Sequence, residues 1–126
     1  MARFLLIALA GALGVSLRYA LSLALPRHTP THFPWATLTA NALGCLCMGA
    51  LLALFALRYP NHENLRLALT VGLLGGFTTF SAFAADSISL LDANLTARAL
   101  LYIASSVILS LAAAILAFRA VQTLLA

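Results

Sequence analysis

Four long apolar runs make up most of this chain and decide what it can fold into. They cover residues 4–25, 33–57, 65–91 and 97–125 of a 126-residue sequence. A helix that crosses a bilayer needs about 20 apolar residues, so each run is long enough to span a membrane. The connectors between the runs are short and leave no room for a second domain. We therefore expect a single all-α integral membrane domain of four transmembrane helices over residues 1–126.

The composition excludes the common soluble classes. Hydrophobic residues make up 63% of the chain and charged residues only 8%, whereas a soluble domain carries about 25% charged residues. Such a chain cannot cover a globular surface with polar groups, and it is too apolar to be disordered. The seven arginines are scattered singly, so no basic stripe for nucleic acid forms.

Neither the cysteines nor the histidines indicate catalysis. Cys45 and Cys47 lie two residues apart in an apolar run, so on a helix they point to nearly opposite sides and cannot pair. We interpret them as small packing residues. The histidines all lie in connectors, and no nucleophile–base spacing or nucleotide-binding loop is present. The sequence gives no indication of an enzyme.

The N-terminal run needs a separate test, because Arg3 followed by apolar residues resembles a signal peptide. Cleavage after the ALA triplet at 8–10 would leave an apolar region too short to cross a membrane, so we expect a first transmembrane span.

An even number of spans places both termini on one side of the membrane. Four arginines fall near that side, against two on the other or three with Arg18, which lies within the first span. Because this bias is weak, the chain could insert in both orientations, which would allow an antiparallel dimer.

The third run contains the most unusual segment, residues 72–83, with three glycines, two threonines and a serine near mid-membrane. These residues weaken a helix. A break would free carbonyls that suit a small cation and amides that suit an anion, and such groups are tolerated in a membrane only when they are buried or line a cavity. The simpler interpretation is close helix packing through the Gly72 and Gly76 pair.

Several other polar and aromatic residues have both a structural and a functional interpretation. Asn41 is the one amide in the second run, and it either donates to an ion or bonds a neighbouring helix. Phe80 and Phe83 share one helix face, where their positive edges could contact an anion or simply pack. Hydroxyls at 102, 106 and 110 follow an i, i+4, i+8 pattern on one helix face. They either line an ion path or bond the backbone of their own helix.

Arg18 is the only arginine well inside a run, and Asp86 is the one acid within a run. Arg18 either extends to the interface or raises the local potential for an anion. Asp86, near the end of the third run, either lines a vestibule or caps a hydrogen-bond network.

Three motifs in this order resemble those of the Fluc, or CrcB, fluoride channels, which are small four-helix bacterial membrane proteins. The motifs are GVSLRY at 14–19, TLTANALG at 37–44 and GGFTTFS at 75–81. The last is the most specific, and the resemblance covers nearly the full length. It implies a passive, fluoride-selective channel in the bacterial inner membrane that exports fluoride and so relieves its toxicity.

The resemblance also implies an assembly and a cofactor. Members of the family are dual-topology antiparallel homodimers with two pores, surrounded by membrane lipid. Backbone carbonyls at a break in the third helix hold a structural sodium ion at the dimer centre, and these positions match Gly75 and Thr78. Carbonyl ligands with no nearby carboxylate suit a hard cation.

The family's pore residues match positions in this chain, with a few departures. The residues implied to line the pore or contact fluoride are Asn41, Phe80, Phe83, Ser81, Tyr102, Ser106, Ser110 and Arg18. Ala82 stands where members often have threonine, which removes one hydroxyl from the path. Asp86 stands where many have glutamate, and Ala10 replaces a frequent glycine.

Two other functions remain open on the sequence. A small multidrug exporter is also short, four-spanning and dual-topology, but it needs a carboxylate in the first helix, and the first run has no Asp or Glu. A non-conducting assembly subunit held by glycine packing would explain the glycines. It would not explain why Asn41, the two phenylalanines and the hydroxyl line occur together.

Overall fold

The structure, a computed structural model, describes residues 1–25 and 33–125, so the connector at 26–32 that carries Arg27 lies outside it. Three long helices are α1 (Ala2–Ala24), α2 (Trp35–Leu57) and α6 (Thr96–Leu125). Between α2 and α6 lie α3 (Glu63–Leu67), a π-helical segment (Ala68–Leu74), α4 (Gly75–Phe77) and α5 (Phe80–Asp92).

Within residues 1–25 and 33–125, four helical segments are long and apolar enough to cross a membrane, which confirms the predicted class. The third of them runs from Glu63 to Asp92 and includes α3, the π-helical segment, α4 and α5. The ends of the four segments differ from the predicted runs by at most two residues. The side chain of Arg3 donates to Asn64 Oδ1 at 2.7 Å and to Glu63 Oε2 at 3.1 Å, so α1 and the third segment begin at the same end of the molecule.

Helix α2 packs mainly on α6, and α1 packs mainly on the third segment; glycines allow a close approach in both pairs. A Cβ on Gly49 of α2 would strike the backbone carbonyl of Ala114 in α6. On the other side, a Cβ on Gly72 would lie 2.7 Å from Ile7 O, and one on Gly76 would lie 2.5 Å from Gly11 O. Gly72 and Gly76 therefore do pack closely, and the helix they pack against is α1.

The third segment changes conformation twice along its length. Its helix widens to a π-helix over Ala68–Leu74, a form that often marks functional sites. At Thr78 (φ −84°, ψ 157°) and Thr79 (φ −155°, ψ 119°) the backbone is extended. Helix α5 then begins at Phe80, and the Thr79 hydroxyl caps it by accepting from the Ala82 amide at 3.1 Å. These two extended residues position the candidate site.

Candidate functional site at the interrupted third segment

The side chain of Asn41 holds the extended residue Thr79 from the neighbouring helix α2. Asn41 Nδ2 donates to the Thr79 carbonyl at 3.0 Å, and the Thr79 amide donates to Asn41 Oδ1 at 2.8 Å. One primary amide thus satisfies both backbone polar groups of a residue that has left the helix. Buried backbone groups need such partners, and water is not available in the hydrocarbon region. The interhelical hydrogen bond considered from the sequence is present, with a backbone as its partner.

This pairing changes which carbonyls remain available nearby. In a continuous α-helix the Thr79 amide would bond the Gly75 carbonyl, and the Ala82 amide would bond the Thr78 carbonyl. Here Asn41 Oδ1 takes the first amide and the Thr79 hydroxyl takes the second. The carbonyls of Gly75 and Thr78 therefore lose the donors that a helix would give them.

Arg18 supplies a hydrogen-bond donor to the Gly76 carbonyl, which lies between those of Gly75 and Thr78 in the sequence. Its Nε donates to the Gly76 carbonyl at 3.2 Å from the neighbouring helix α1. In a continuous helix this carbonyl would accept from Phe80. An arginine inside a span is costly unless it finds such partners, so Arg18 has a structural role whatever else it does.

A groove of about 320 Å³ opens beside the extended residues. Its walls include Asn41 and Cys45 of α2, Thr78 and Thr79, Phe80 and Phe83 of α5, and Ser106 and Ser110 of α6. The two phenylalanine rings lie 5.3 Å apart between centroids. Phe83 also packs on Tyr102, whereas the Phe80 side chain is 80% exposed.

One hydroxyl on the wall of the groove has no protein partner. Ser106 is buried, and its Oγ makes no hydrogen bond to any of the residues that the structure describes. A buried hydroxyl without a partner is destabilising, and such groups usually meet a water or an ion. Ser110 lies one turn further along α6 on the same wall.

A second cavity of about 250 Å³ borders one residue of the extended pair. It is lined by Arg18, Ser22, Thr37 and Ala82, among others, and by Thr79, which borders both cavities. Arg18 therefore lines this second cavity, and it is not among the residues that line the groove. No hydroxyl comes from position 82, because the residue there is alanine.

The two remaining residues expected at the pore lie outside the groove lining. The Tyr102 side chain is fully buried in the core with Leu38 and Leu90, and its hydroxyl donates to Asp86 Oδ2 at 3.2 Å. Asp86 therefore belongs to a hydrogen-bond network, one of its two interpretations. Ser81 is exposed, and its Oγ lies 3.2 Å from the Thr79 hydroxyl.

Two residues of the site were not anticipated in their observed roles. Cys45, which we interpret from the sequence as a packing residue, lines the groove. Its position four residues after Asn41 is the sequence signal that could have placed it on that face of α2. Thr79 had no role of its own, and its φ and ψ depend on a partner 38 residues away.

Among the residues that the structure describes, no three His, Cys, Asp or Glu side chains lie together in a way that could hold a metal. The donors that could hold a cation at the interruption are backbone carbonyls, which are hard oxygen ligands.

Comparisons with known proteins agree on one family. A family model described as "CrcB-like protein, Camphor Resistance (CrcB)" matches residues 5–118. The chain is 51% identical over 112 residues to the fluoride-specific ion channel FluC of Paracoccus denitrificans, covering 89% of this chain and 88% of that protein. It is 44% identical to the protein of the same name from Thermus thermophilus, covering 94% of each, and 41% identical to that of Rhizobium johnstonii, covering 98% and 99%.

Proposed function

The chain belongs to the CrcB family, and from this membership we propose that it is a passive, fluoride-selective channel that exports fluoride from the cell. The observation that carries the proposal is the groove, where Asn41, two phenylalanines and the unpartnered hydroxyl of Ser106 meet. An apolar wall with a few hydrogen-bond donors suits an anion that must bind weakly enough to leave.

Each wall of the groove offers fluoride a different contact. Asn41 Nδ2 carries two hydrogens, and the Thr79 carbonyl accepts one of them, so we assign the second to the ion. The hydroxyls of Ser106 and Ser110 donate from the opposite wall. The phenylalanine rings present positive edges that attract an anion without holding it tightly. In this proposal the ion meets three further residues at the approaches to the groove rather than on its walls: Arg18, Tyr102 and Ser81.

The proposed channel is an antiparallel homodimer with two pores, surrounded by lipid. Phe80 is exposed beside an open groove, and a second copy would cover it. Gly75 supports the same arrangement, because it is exposed and the nearest atom to an added Cβ is Thr70 O at 3.7 Å. Its own protomer gives no steric reason for a glycine there, whereas the close approach of a partner backbone does.

A sodium ion at the dimer centre fits the donors that the interruption provides. The Gly75 and Thr78 carbonyls have lost their helical amides, and uncharged oxygens of this kind are suitable ligands for a hard cation. The ion would join the two copies and add positive charge near both proposed pores. In this arrangement Asn41 and the Thr79 hydroxyl hold the carbonyls free, and Arg18 fixes the Gly76 carbonyl between them.

The weak arginine bias supports insertion in both orientations, and the inner membrane is where relatives from bacteria would act. The exporter alternative lacks support, since α1 contains no carboxylate. The assembly-subunit alternative accounts for the glycine packing but leaves the donors of the groove without a function.

Growth tests the proposal against both alternatives. The chain is expressed in a bacterial strain that lacks its own fluoride exporter. We expect growth on fluoride to be restored and resistance to cationic dyes to be unchanged. Dye resistance without fluoride resistance would support the exporter, and expression without either phenotype would support the assembly subunit.

A further inference from the structure

We propose that Cys45 is a modification site on the wall of the ion path, where a water-soluble thiol-reactive electrophile forms a disulfide and blocks the path. This inference rests on the proposed function, because it assigns a regulatory group to the same groove. Neither the sequence motifs nor the family membership assigns a role to this thiol.

The position of Cys45 follows from helix geometry. It lies four residues after Asn41, so both side chains share one face of α2, and both line the groove. Ser106 and Ser110, again four residues apart, line the same groove from α6. Cys45 thus extends the polar face of α2 by one turn beyond Asn41.

A second observation indicates that this groove holds a polar occupant. Ser106 is 6% exposed, and its Oγ has no hydrogen-bond partner among the described residues, yet it lines the same groove as Cys45. A buried hydroxyl of this kind usually meets a water or an ion. In this proposal, the same water reaches the thiol of Cys45.

Cys47 is the matched control that the chain supplies. It lies two residues further along α2, on nearly the opposite side of the helix, and lines none of the cavities described above. It is exposed, whereas Cys45 is half-buried. In a membrane protein, however, an exposed apolar helix face meets lipid or a partner chain. A thiol reacts as its thiolate, which forms only where water solvates the charge. We therefore expect the less exposed cysteine to react faster.

The reaction is a thiol exchange with a methanethiosulfonate that carries a trimethylammonium group. The Cys45 thiol loses its proton to water, and the thiolate attacks the sulfenyl sulfur of the reagent. A disulfide bond forms between Cys45 Sγ and the sulfenyl sulfur of the reagent. The bond from that sulfur to the sulfonyl group breaks, and methanesulfinate leaves with the electron pair. The attached cation then occupies a path proposed to pass anions.

The experiment places the full chain in liposomes with this reagent on both faces. Intact mass and peptide mapping give the label at each cysteine, and an electrode follows fluoride efflux. Each variant is compared with its own untreated vesicles. For the wild type and for Cys47→Ala, we expect a single label at Cys45 and loss of efflux to the leak of protein-free vesicles. For Cys45→Ser, we expect no label and no change on treatment.

The outcomes separate this inference from the proposed function. Fluoride efflux without label at Cys45 overturns the inference and leaves the function standing. Label at Cys45 with unchanged efflux also overturns it, because the thiol then lies off the path. Label that favours Cys47 contradicts the assignment of water to the groove. Selective label at Cys45 in a chain that conducts no fluoride overturns the proposed function. Of the inference, only the access of water to Cys45 would then remain.

Discussion

At the scale of single residues, Asn41 has a double task in this account. Its amide satisfies the amide and the carbonyl of Thr79, and its remaining hydrogen is assigned to the ion. These tasks are linked, because the bonds to Thr79 fix the orientation of the side chain. We therefore expect a residue in this position to affect both stability and conduction.

Replacing Asn41 with alanine should lower both the stability of the protein and its fluoride conduction. Asn41→Ala leaves two backbone groups of Thr79 without partners, and each such group costs about 1–3 kcal/mol. We expect a lower unfolding temperature in detergent and loss of fluoride efflux. Leu43→Ala is the control, since Leu43 is an exposed residue of the same helix. An Asn41→Ala protein as stable as the wild type would contradict the role of these two bonds.

The two phenylalanines should respond differently to the same substitution. Phe80 is 80% exposed, so Phe80→Ile should leave the unfolding temperature of the protomer nearly unchanged while efflux falls. Phe83 packs on the buried ring of Tyr102, so Phe83→Ile should lower stability as well. Thermal unfolding and efflux are measured on both variants. Full efflux in Phe80→Ile would remove Phe80 from the proposed path.

Sequence reasoning at this scale selected candidate residues but did not predict their hydrogen-bond and packing partners. It selected Asn41 and Phe83 because polar and aromatic types stand out in an apolar run. It did not predict that Tyr102 would be buried against Asp86 outside the groove. Three hydroxyls at helical spacing share a face approximately, but the packing of α5 on α6 decides which of them reach the groove.

At the scale of helices, two adjacent glycines serve different neighbours. Gly76 faces α1, where an added Cβ would lie 2.5 Å from Gly11 O, while a Cβ on Gly75 would make only an ordinary van der Waals contact, 3.7 Å from Thr70 O. The first glycine thus sets packing within one chain. The second is explained by the proposed partner copy.

Alanine at each position separates these roles. Gly76→Ala should destabilise the protomer, because overpacking costs about 1–3 kcal/mol. Gly75→Ala should leave the protomer intact, since alanine favours a helix over glycine by about 1 kcal/mol, but should shift dimer to monomer. Thermal unfolding and light scattering after size exclusion measure the two effects. A fully dimeric Gly75→Ala protein would move the dimer centre away from this residue.

The helices themselves were largely predictable, because a continuous apolar run of this length has few alternatives in a membrane. The ends of the four segments agree with the sequence within two residues. Composition located the weak part of the third run in residues 72–83, and the extended residues Thr78 and Thr79 lie there. It did not specify those two residues or the π-helical segment, since both depend on contacts with α1 and α2.

At the scale of the whole molecule, the surface is dominated by exposed leucines, isoleucines and valines that must meet lipid or a second copy. In the proposed dimer the two copies are antiparallel. We expect a detergent-solubilised mass of twice the 13.2 kDa chain, after allowance for the detergent. A monomer at all concentrations would contradict the proposed assembly.

Orientation can be tested with one introduced cysteine. In a background of Cys45→Ser and Cys47→Ser, Asn61→Cys places a thiol in the exposed connector between α2 and α3. An impermeant reagent added outside intact cells should label about half of the chains if insertion is dual, because the arginine bias is weak. Label on all or on none of the chains would show a single orientation.

The most direct test of the central claim is fluoride efflux from liposomes that contain only this protein, with chloride efflux as the control. We expect rapid, electrogenic release of fluoride and chloride release no faster than in protein-free vesicles. An absence of fluoride release from a folded, dimeric protein, or equal release of both ions, would contradict a fluoride-selective channel.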